Sequence, residues 1–374
     1  MPRITPVQAS RPFGALLMVW FLVGCAGKPL YPWTTESMPM ALVPVAGAGV
    51  NDGRGRFREI YCEVLNSRGP DWPDYMPCEQ ALTRVGIEPP ATQHEVPMGN
   101  SNSDLLALIV PGVGWECIEN WLKIDDSLNE LISNFGYGAQ ALKVDGLSSS
   151  ANNARQIRDA VLALPEEYQQ RPLLLIGYSK GAPDILEAIV TYPELAQRVS
   201  AVISSAGAIG GSPLANAADQ KDLNLMRLFP GSECSKGDGG AMASLRPKTR
   251  RAWLAGQSLP PEIAYYSLVT FPSPDRISSA LSGMYKKLSQ VDARNDGQLI
   301  YYDQVIPGST LLGFVNADHW ALAVPIARQH RFIGSTFVDQ NAYPREALVE
   351  AVLRFVDEDL ARRKSEQPFR LESQ

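Results

Sequence analysis

A serine between two glycines is the residue whose surroundings most clearly indicate a reaction. Ser179 lies in the sequence GYSKG, residues 177–181, directly after the apolar run 173–176. In the pattern G-x-S-x-G the glycines permit a strained turn from a strand into a helix, and this turn lifts the serine hydroxyl out of a sheet. Pro183, in the first turn of the predicted helix, fits that setting. Ser179 is therefore the candidate nucleophile.

A serine hydroxyl is a weak nucleophile at neutral pH unless a positioned base accepts its proton, so a histidine is required. His94 precedes the first predicted parallel strand, and His330 lies in a polar stretch well past the last one. His319 follows the last predicted strand directly, at the sheet edge where such a base is expected. We therefore predict His319 as the general base.

An acid that orients the histidine is expected between the last two strands. Asp275 precedes a predicted helix, where aspartate often acts as an N-cap. Asp303 follows an apolar and aromatic run, which suggests a position within a helix or strand rather than in a loop. Asp292 and Asp296 share one loop, but only Asp296 has the Asn-Asp-Gly setting of a tight turn. We predict Asp296, with Asp275 and Asp292 as the alternatives.

Two backbone N–H groups would be needed to stabilise negative charge on a reacting carbonyl oxygen. One candidate is the N–H of Lys180, the residue after the nucleophile. The other is that of Val113, in the turn 111–115 after the first parallel strand; a plain glycine turn is the alternative. The charged side chains of Lys180 and Asp184 are expected to be solvated or structural.

The elements that would position these residues alternate between short apolar runs and amphipathic stretches, which is typical of a parallel sheet with crossover helices. The predicted strands are 105–110, 139–144, 173–176, 201–204, 263–271 and 311–315, and the predicted helices are 117–135, 152–164, 181–192, 277–288 and 345–363. Between residues 210 and 261 the alternation fails. This segment is predicted to be a loop-like lid or cap with one amphipathic stretch, 223–229.

The order of Ser179, an acid and His319 within this alternation resembles the α/β-hydrolase family over about residues 105–363. Within the family the chain looks most like bacterial lipases and esterases, many of which bear the acid in an Asp-Gly pair. Pro111 departs from them, because a His-Gly motif often begins there.

The resemblance implies an α/β fold with a mostly parallel central sheet flanked by helices, and a serine hydrolase that cleaves carboxylic esters through an acyl-serine intermediate. A small-molecule ester or lipid would be the substrate. An acyltransferase or a peptidase with the same triad remains an alternative. A non-catalytic surface lipoprotein is disfavoured because serine, acid and histidine are all present in order. The sequence has no dinucleotide fingerprint and no zinc-type cysteine spacing, so no cofactor or metal is expected.

The N-terminus indicates export. Arg3 and Arg11 precede the apolar run 13–23, which is too short for a span of ~20 residues and is typical of a signal peptide, residues 1–24. Leu22-Val23-Gly24-Cys25 resembles a bacterial lipobox, which implies acylation of Cys25; an ordinary signal peptide with an incidental cysteine is the alternative. A Pro- and Gly-rich tether, 25–51, would follow. These features predict a lipid-anchored protein of the bacterial cell envelope, in the outer membrane if the source is Gram-negative.

The other four cysteines are an even number in an oxidising compartment, which predicts two disulfides rather than four buried thiols. Cys62 pairs with Cys78 in a stapled N-terminal cap, residues 52–104, and Cys117 is left to pair with Cys234. Residues 364–374 are predicted to form a polar tail. The formal net charge of -6 argues against a nucleic-acid partner.

Overall fold

The computed structural model describes residues 49–122, 127–218 and 234–371. The predicted signal peptide, Cys25, most of the tether and the stretch 223–229 lie outside these residues. The strands are β1 (Asn51–Asp52), β2 (Leu82–Thr83), β3 (Leu106–Val110), β4 (Gly138–Ala141), β5 (Leu173–Tyr178), β6 (Val199–Ser205), β7 (Ala264–Thr270) and β8 (Thr310–Val315).

The helices that surround the sheet include long elements and several single turns. They are α1 (Arg54–Arg68), α2 (Cys78–Ala81), α3 (Trp115–Leu122), α4 (Ser127–Phe135), α5 (Ser150–Leu162), α6 (Gly181–Thr191), α7 (Pro193–Ala196), α8 (Ala241–Ser244), α9 (Pro247–Gly256), α10 (Ser282–Leu288), α11 (His319–Ala323), α12 (Ile326–Gln329), α13 (Arg331–Thr336) and α14 (Arg345–Leu371). No helix in the described ranges has both the length and the apolar character needed to cross a membrane.

The strands form one sheet in the order β1-β8-β7-β6-β5-β3-β4, with β2 added antiparallel to β8. The other described pairs are parallel. The carboxyl ends of β3, β5, β7 and β8 therefore meet at one edge, which is where parallel sheets of this kind build their sites. The predicted fold class is confirmed.

Both faces of the sheet are buried, so successive strand residues enter different cores. Leu174 joins a cluster that contains residues of α1 and α14. Leu173 and Leu175 join the cluster formed with α5 and α6. This double burial explains why the strands appear in the sequence as continuous apolar runs rather than as alternating ones.

The segment predicted as a stapled cap contributes to the same sheet. β1 and β2 both pair with β8, and α1 packs on α14 with the rings of Phe57 and Phe355 6.2 Å apart. A disulfide between Cys62 and Cys78 joins α1 to α2.

The segments 277–288 and 210–261 differ from their predicted secondary structure. The predicted helix 277–288 begins only at Ser282, because backbone N–H groups before it bond elsewhere: Ser278 to the Asp318 carboxylate at 2.9 Å and Ser279 to that of Asp339 at 2.8 Å. The segment 210–261 contains α8 and α9 besides loop. The buried residues of α9 are Pro247 and the charged Arg250, 2% exposed, while Trp253 and Leu254 are only partly buried against the core, so the helix has a weak apolar pattern.

The last helix extends past its predicted end at residue 363 to Leu371. Ion pairs of Asp359 with Arg363 and of Arg362 with Glu366 follow the spacing that supports an exposed helix.

Candidate active site

Three predicted side chains meet at the carboxyl edge of the sheet. Ser179 follows β5, His319 begins α11 shortly after β8, and Asp296 lies in the loop after α10. The Oγ of Ser179 is 3.0 Å from Nε2 of His319, and Nδ1 of His319 is 2.7 Å from Oδ2 of Asp296. With its proton on Nδ1, the imidazole donates to the carboxylate and presents a free lone pair to the serine hydroxyl.

The turn at Ser179 is strained, and the flanking glycines make it possible. Ser179 has a φ of +53°, in the left-handed region that non-glycine residues rarely occupy. A Cβ on Gly177 would lie 2.5 Å from the backbone of Ala182, and one on Gly181 would lie 2.1 Å from the carbonyl oxygen of Val110. The close approach of β5, α6 and β3 therefore requires glycine at both positions.

The carboxylate of Asp296 is fixed by several donors. Its Oδ1 accepts from the backbone N–H groups of Gln298 and Leu299, at 2.9 and 2.7 Å. Its Oδ2 accepts from the hydroxyl of Thr270 at 2.5 Å besides the imidazole. The backbone N–H of His319 also donates to the carbonyl of Asp296, at 3.0 Å. The loop is thus bound to the histidine through main chain and side chain together.

The other acids considered from the sequence lie elsewhere. Asp275 is exposed, and Asp292 forms an ion pair with Arg294 at 2.7 Å. Asp303 is buried, and burial raises the pKa of its carboxyl to about 7. Of these four described residues, Asp296 alone is hydrogen-bonded to His319.

Sequence reasoning missed three residues that hold the acid and the histidine. Thr270, at the end of β7, donates to Asp296, and the amide of Gln304 bonds to both the N–H and the carbonyl of Thr270, at 2.7 and 3.1 Å. Tyr178 donates its hydroxyl to the carbonyl of His319 at 2.8 Å. Burial raises the pKa of Tyr178 well above its ordinary value, so this hydroxyl remains a donor. No sequence pattern marks Thr270 or Gln304, because each contacts residues that are distant from it in the sequence.

The predicted oxyanion donors lie beside the nucleophile. Lys180 follows Ser179 directly, and a Cβ on Gly112, the neighbour of Val113, would lie 2.9 Å from the Cβ of Ser179. Gly114 has a φ of +66° and donates to the carbonyl of Gly146 at 3.1 Å, which fixes the turn. Within the described part of the chain, the backbone N–H groups of Val113 and Lys180 have no hydrogen-bond acceptor.

Residues 234–238, in the second half of the segment 210–261, are attached next to this turn. A disulfide joins Cys117 in α3 to Cys234, as predicted. The N–H of Ser235 donates to the Glu116 carboxylate at 3.0 Å, and the carboxylate of Asp238 accepts from the N–H of Ser149 at 2.7 Å. Among the described residues, no group of three or more histidine, cysteine, aspartate or glutamate side chains could hold a metal ion.

A solved structure of an esterase is similar to this chain over most of both lengths. The metagenomic carboxyl esterase MGS0156 is 39% identical, with a TM-score of 0.78, over 86% of this chain and 97% of the esterase. The chain belongs to the same family of α/β-hydrolases. Two lipase structures are less similar. Staphylococcus hyicus lipase is 12% identical, with a TM-score of 0.49, over 73% of this chain and 100% of the lipase. Mature Bacillus licheniformis lipase BlEst2 is 19% identical, with a TM-score of 0.48, over 66% of this chain and 95% of the lipase. No protein-family model matches the sequence, and no curated protein is significantly similar to it.

Proposed function

We propose that this α/β-hydrolase is a serine esterase that cleaves carboxylic esters through an acyl-serine intermediate. The observation that carries the proposal is the hydrogen-bonded chain from Ser179 through His319 to Asp296, with distances of 3.0 and 2.7 Å. The similarity to a carboxyl esterase supports esters, rather than another acyl compound, as the substrate class.

In the first half of the reaction, the Oγ of Ser179 attacks the ester carbonyl carbon while Nε2 of His319 takes the hydroxyl proton. The carbonyl π electrons move to the oxygen, and the N–H groups of Val113 and Lys180 stabilise this oxyanion. When the carbonyl re-forms, the bond to the alcohol oxygen breaks. His319 gives its proton to the departing alcohol, and the acyl group remains on Ser179.

The second half repeats these steps with water. His319 takes a proton from water, the hydroxide oxygen bonds to the acyl carbon, and Ser179 leaves with the proton returned from Nε2. Asp296 accepts the Nδ1 hydrogen bond throughout, which holds the imidazole in one tautomer and stabilises its protonated form. Its multiple donors leave the carboxylate little freedom to turn away.

One variant of Ser179, a control variant of another serine and a chemical probe test the assignment. The wild-type protein should hydrolyse p-nitrophenyl esters and be labelled by a fluorophosphonate at Ser179, whereas Ser179→Ala should lose about 10⁶-fold in kcat and all labelling. Ser205→Ala, at a serine that the mechanism does not use, is the matched control and should keep both properties. Ester turnover by Ser179→Ala would refute the assignment, and so would a wild-type protein that turns over no ester in a panel of different acyl lengths.

We also propose that Cys25 is acylated and anchors the enzyme to the bacterial envelope. The support is the apolar run 13–23 followed by Leu22-Val23-Gly24-Cys25. The two disulfides are consistent with an oxidising compartment.

A further inference from the structure

The side chain of Lys180, the residue after the nucleophile, is buried. It is 0% exposed, and its Nζ lies 2.8 and 2.7 Å from the two carboxylate oxygens of Asp184, four residues later and also 0% exposed. A charged residue in the nucleophile turn was expected to be solvated or structural. Its burial calls for a physical reason, because desolvation of two charges is costly even when they are paired.

The ion pair spans the segment that joins the strained turn to α6. This segment contains Gly181 and Pro183, and Asp184 donates its backbone N–H to the Lys180 carbonyl at 3.2 Å. Asn153 of α5 donates to the Asp184 carboxylate at 2.8 Å. The backbone of Lys180 is therefore held from its own helix and, through Asp184, from the neighbouring one.

The ammonium group has no evident chemical role of its own. Both oxygens of Asp184 contact it, and burial, opposed by this carboxylate, lowers the Lys180 pKa. Because buried pairs can often be replaced by apolar residues without loss of stability, stability alone does not explain this one. The group that needs precise placement here is the backbone N–H of Lys180, which adjoins a serine at a φ of +53°.

We propose that the Lys180–Asp184 ion pair is a positioning device for the oxyanion hole. It holds the Lys180 N–H towards the substrate oxygen while negative charge develops there. The inference rests on the proposed esterase function. Asp184 and the Lys180 side chain are positioning groups, since they act through the backbone and do not touch the reacting atoms.

A double variant removes both charges without leaving either one unpaired. Lys180→Met with Asp184→Asn keeps the approximate side-chain volumes and leaves Asn153 an amide oxygen to bond. We expect kcat to fall by about 10- to 100-fold with KM changed by less than about twofold, because a transition-state contact is misplaced. The Ki of a trifluoromethyl ketone, which forms a tetrahedral adduct with an oxyanion, should rise by the same factor as kcat/KM falls.

A second buried i,i+4 ion pair provides the matched control. Arg354 and Glu350 of α14 are 6% and 2% exposed and lie far along the chain from the nucleophile. Arg354→Met with Glu350→Gln should change the unfolding temperature but leave kcat and Ki unchanged. The comparison separates positioning from a general effect of losing a buried pair.

The outcomes distinguish the two proposals. A wild-type protein without ester turnover would refute the esterase function. A folded Lys180→Met, Asp184→Asn protein with wild-type kcat and Ki would refute the positioning role and leave the esterase function intact. If the double variant does not fold, Asn153→Ala decides instead. This variant removes one hydrogen-bond donor to Asp184 and leaves the Lys180–Asp184 ion pair in place. We expect kcat to fall by about two- to fivefold. An unchanged kcat in that folded variant would overturn the proposal.

Discussion

At the scale of single residues, the site depends on buried polar groups that are fully paired. Asp296 is 0% exposed and accepts from two backbone N–H groups, a hydroxyl and the imidazole. Such pairing offsets the cost of burying a carboxylate and leaves it in one orientation. Asp296 in turn fixes the orientation of His319, because both the imidazole and the backbone N–H of His319 bond to it.

Asp296→Asn should lower kcat by about 10⁴-fold, because the amide no longer selects the tautomer with the proton on Nδ1. The measurement is steady-state hydrolysis of a p-nitrophenyl ester, with circular dichroism to verify folding. Asp292→Asn, in the same loop but paired with Arg294, is the control and should keep near-normal turnover. The reverse pattern would show that Asp292 is the acid.

Asp303→Asn should change the pH dependence of stability. Burial raises the pKa of Asp303 to about 7, whereas an unfolded aspartate titrates near about 4. Between these pH values the folded protein binds a proton that the unfolded chain does not, so the free energy of unfolding falls as pH rises. Above about pH 7 the carboxylate is ionised in both states, and the whole cost of burying its charge destabilises the folded protein. Asparagine removes this cost, which amounts to about 1.4 kcal/mol for each unit of difference between the folded and unfolded pKa.

Thermal unfolding at pH 5 and pH 8 measures this effect. Asp303→Asn should raise the unfolding temperature relative to wild type more at pH 8 than at pH 5. The exposed Asp275→Asn serves as the control and should show no such pH-dependent difference. An equal shift at both pH values would mean that Asp303 is already ionised in the folded protein at pH 5.

At the scale of elements, strand order brings the site together. β3 lies next to β5, so the turn that carries Val113 reaches Ser179, and β7 lies next to β8, so Thr270 reaches the acid beside His319. The close contact of α6 with β3 adds a steric requirement at Gly181.

Gly181→Ala should inactivate or unfold the enzyme, because its Cβ would lie 2.1 Å from the carbonyl oxygen of Val110, a backbone atom that cannot move alone. Gly256→Ala, where a Cβ meets nothing within 4 Å, should be neutral or slightly stabilising. Unfolding temperature and fluorophosphonate labelling of both variants measure the difference. Normal labelling of Gly181→Ala would contradict the tight elbow.

At the scale of the whole molecule, the proposed acylation of Cys25 would determine where the protein works. The wild-type protein, expressed in a bacterial host that processes lipoproteins, should partition into the detergent phase, since two or more acyl chains give stable anchoring. Cys25→Ser should be released or left unprocessed. Cys234→Ser, which does not alter the lipobox, is the control and should still partition. A wild-type protein found wholly in the aqueous phase would refute the anchor.

The whole molecule also combines segments that look separate in the sequence. Residues 52–104 were predicted as a cap, but β1 and β2 are edge strands of the central sheet. Strands of two residues carry no periodicity, so their pairing with β8 could not be predicted from local pattern. α9 is hidden for a different reason, because its buried residues are a proline and an arginine rather than an apolar stripe.

The sequence by itself determined the alternating α/β architecture and the residues that the structure brings together: Ser179, His319 and Asp296. These features are local, because an apolar strand, a glycine turn and an Asn-Asp-Gly loop are each encoded in a few adjacent residues. The acid is less strongly encoded, because only the Asn-Asp-Gly turn and the resemblance to lipases distinguish Asp296 from the other three aspartates.

Only the tertiary structure decided which distant groups fix those residues. Thr270 and Gln304 reach Asp296 from other elements, and Asn153 reaches the Lys180–Asp184 pair from α5. Each of these contacts joins residues that are remote in the chain, and their side chains have no period or motif that marks them. Burial of Lys180 likewise depends on tertiary packing, which a short sequence window does not contain.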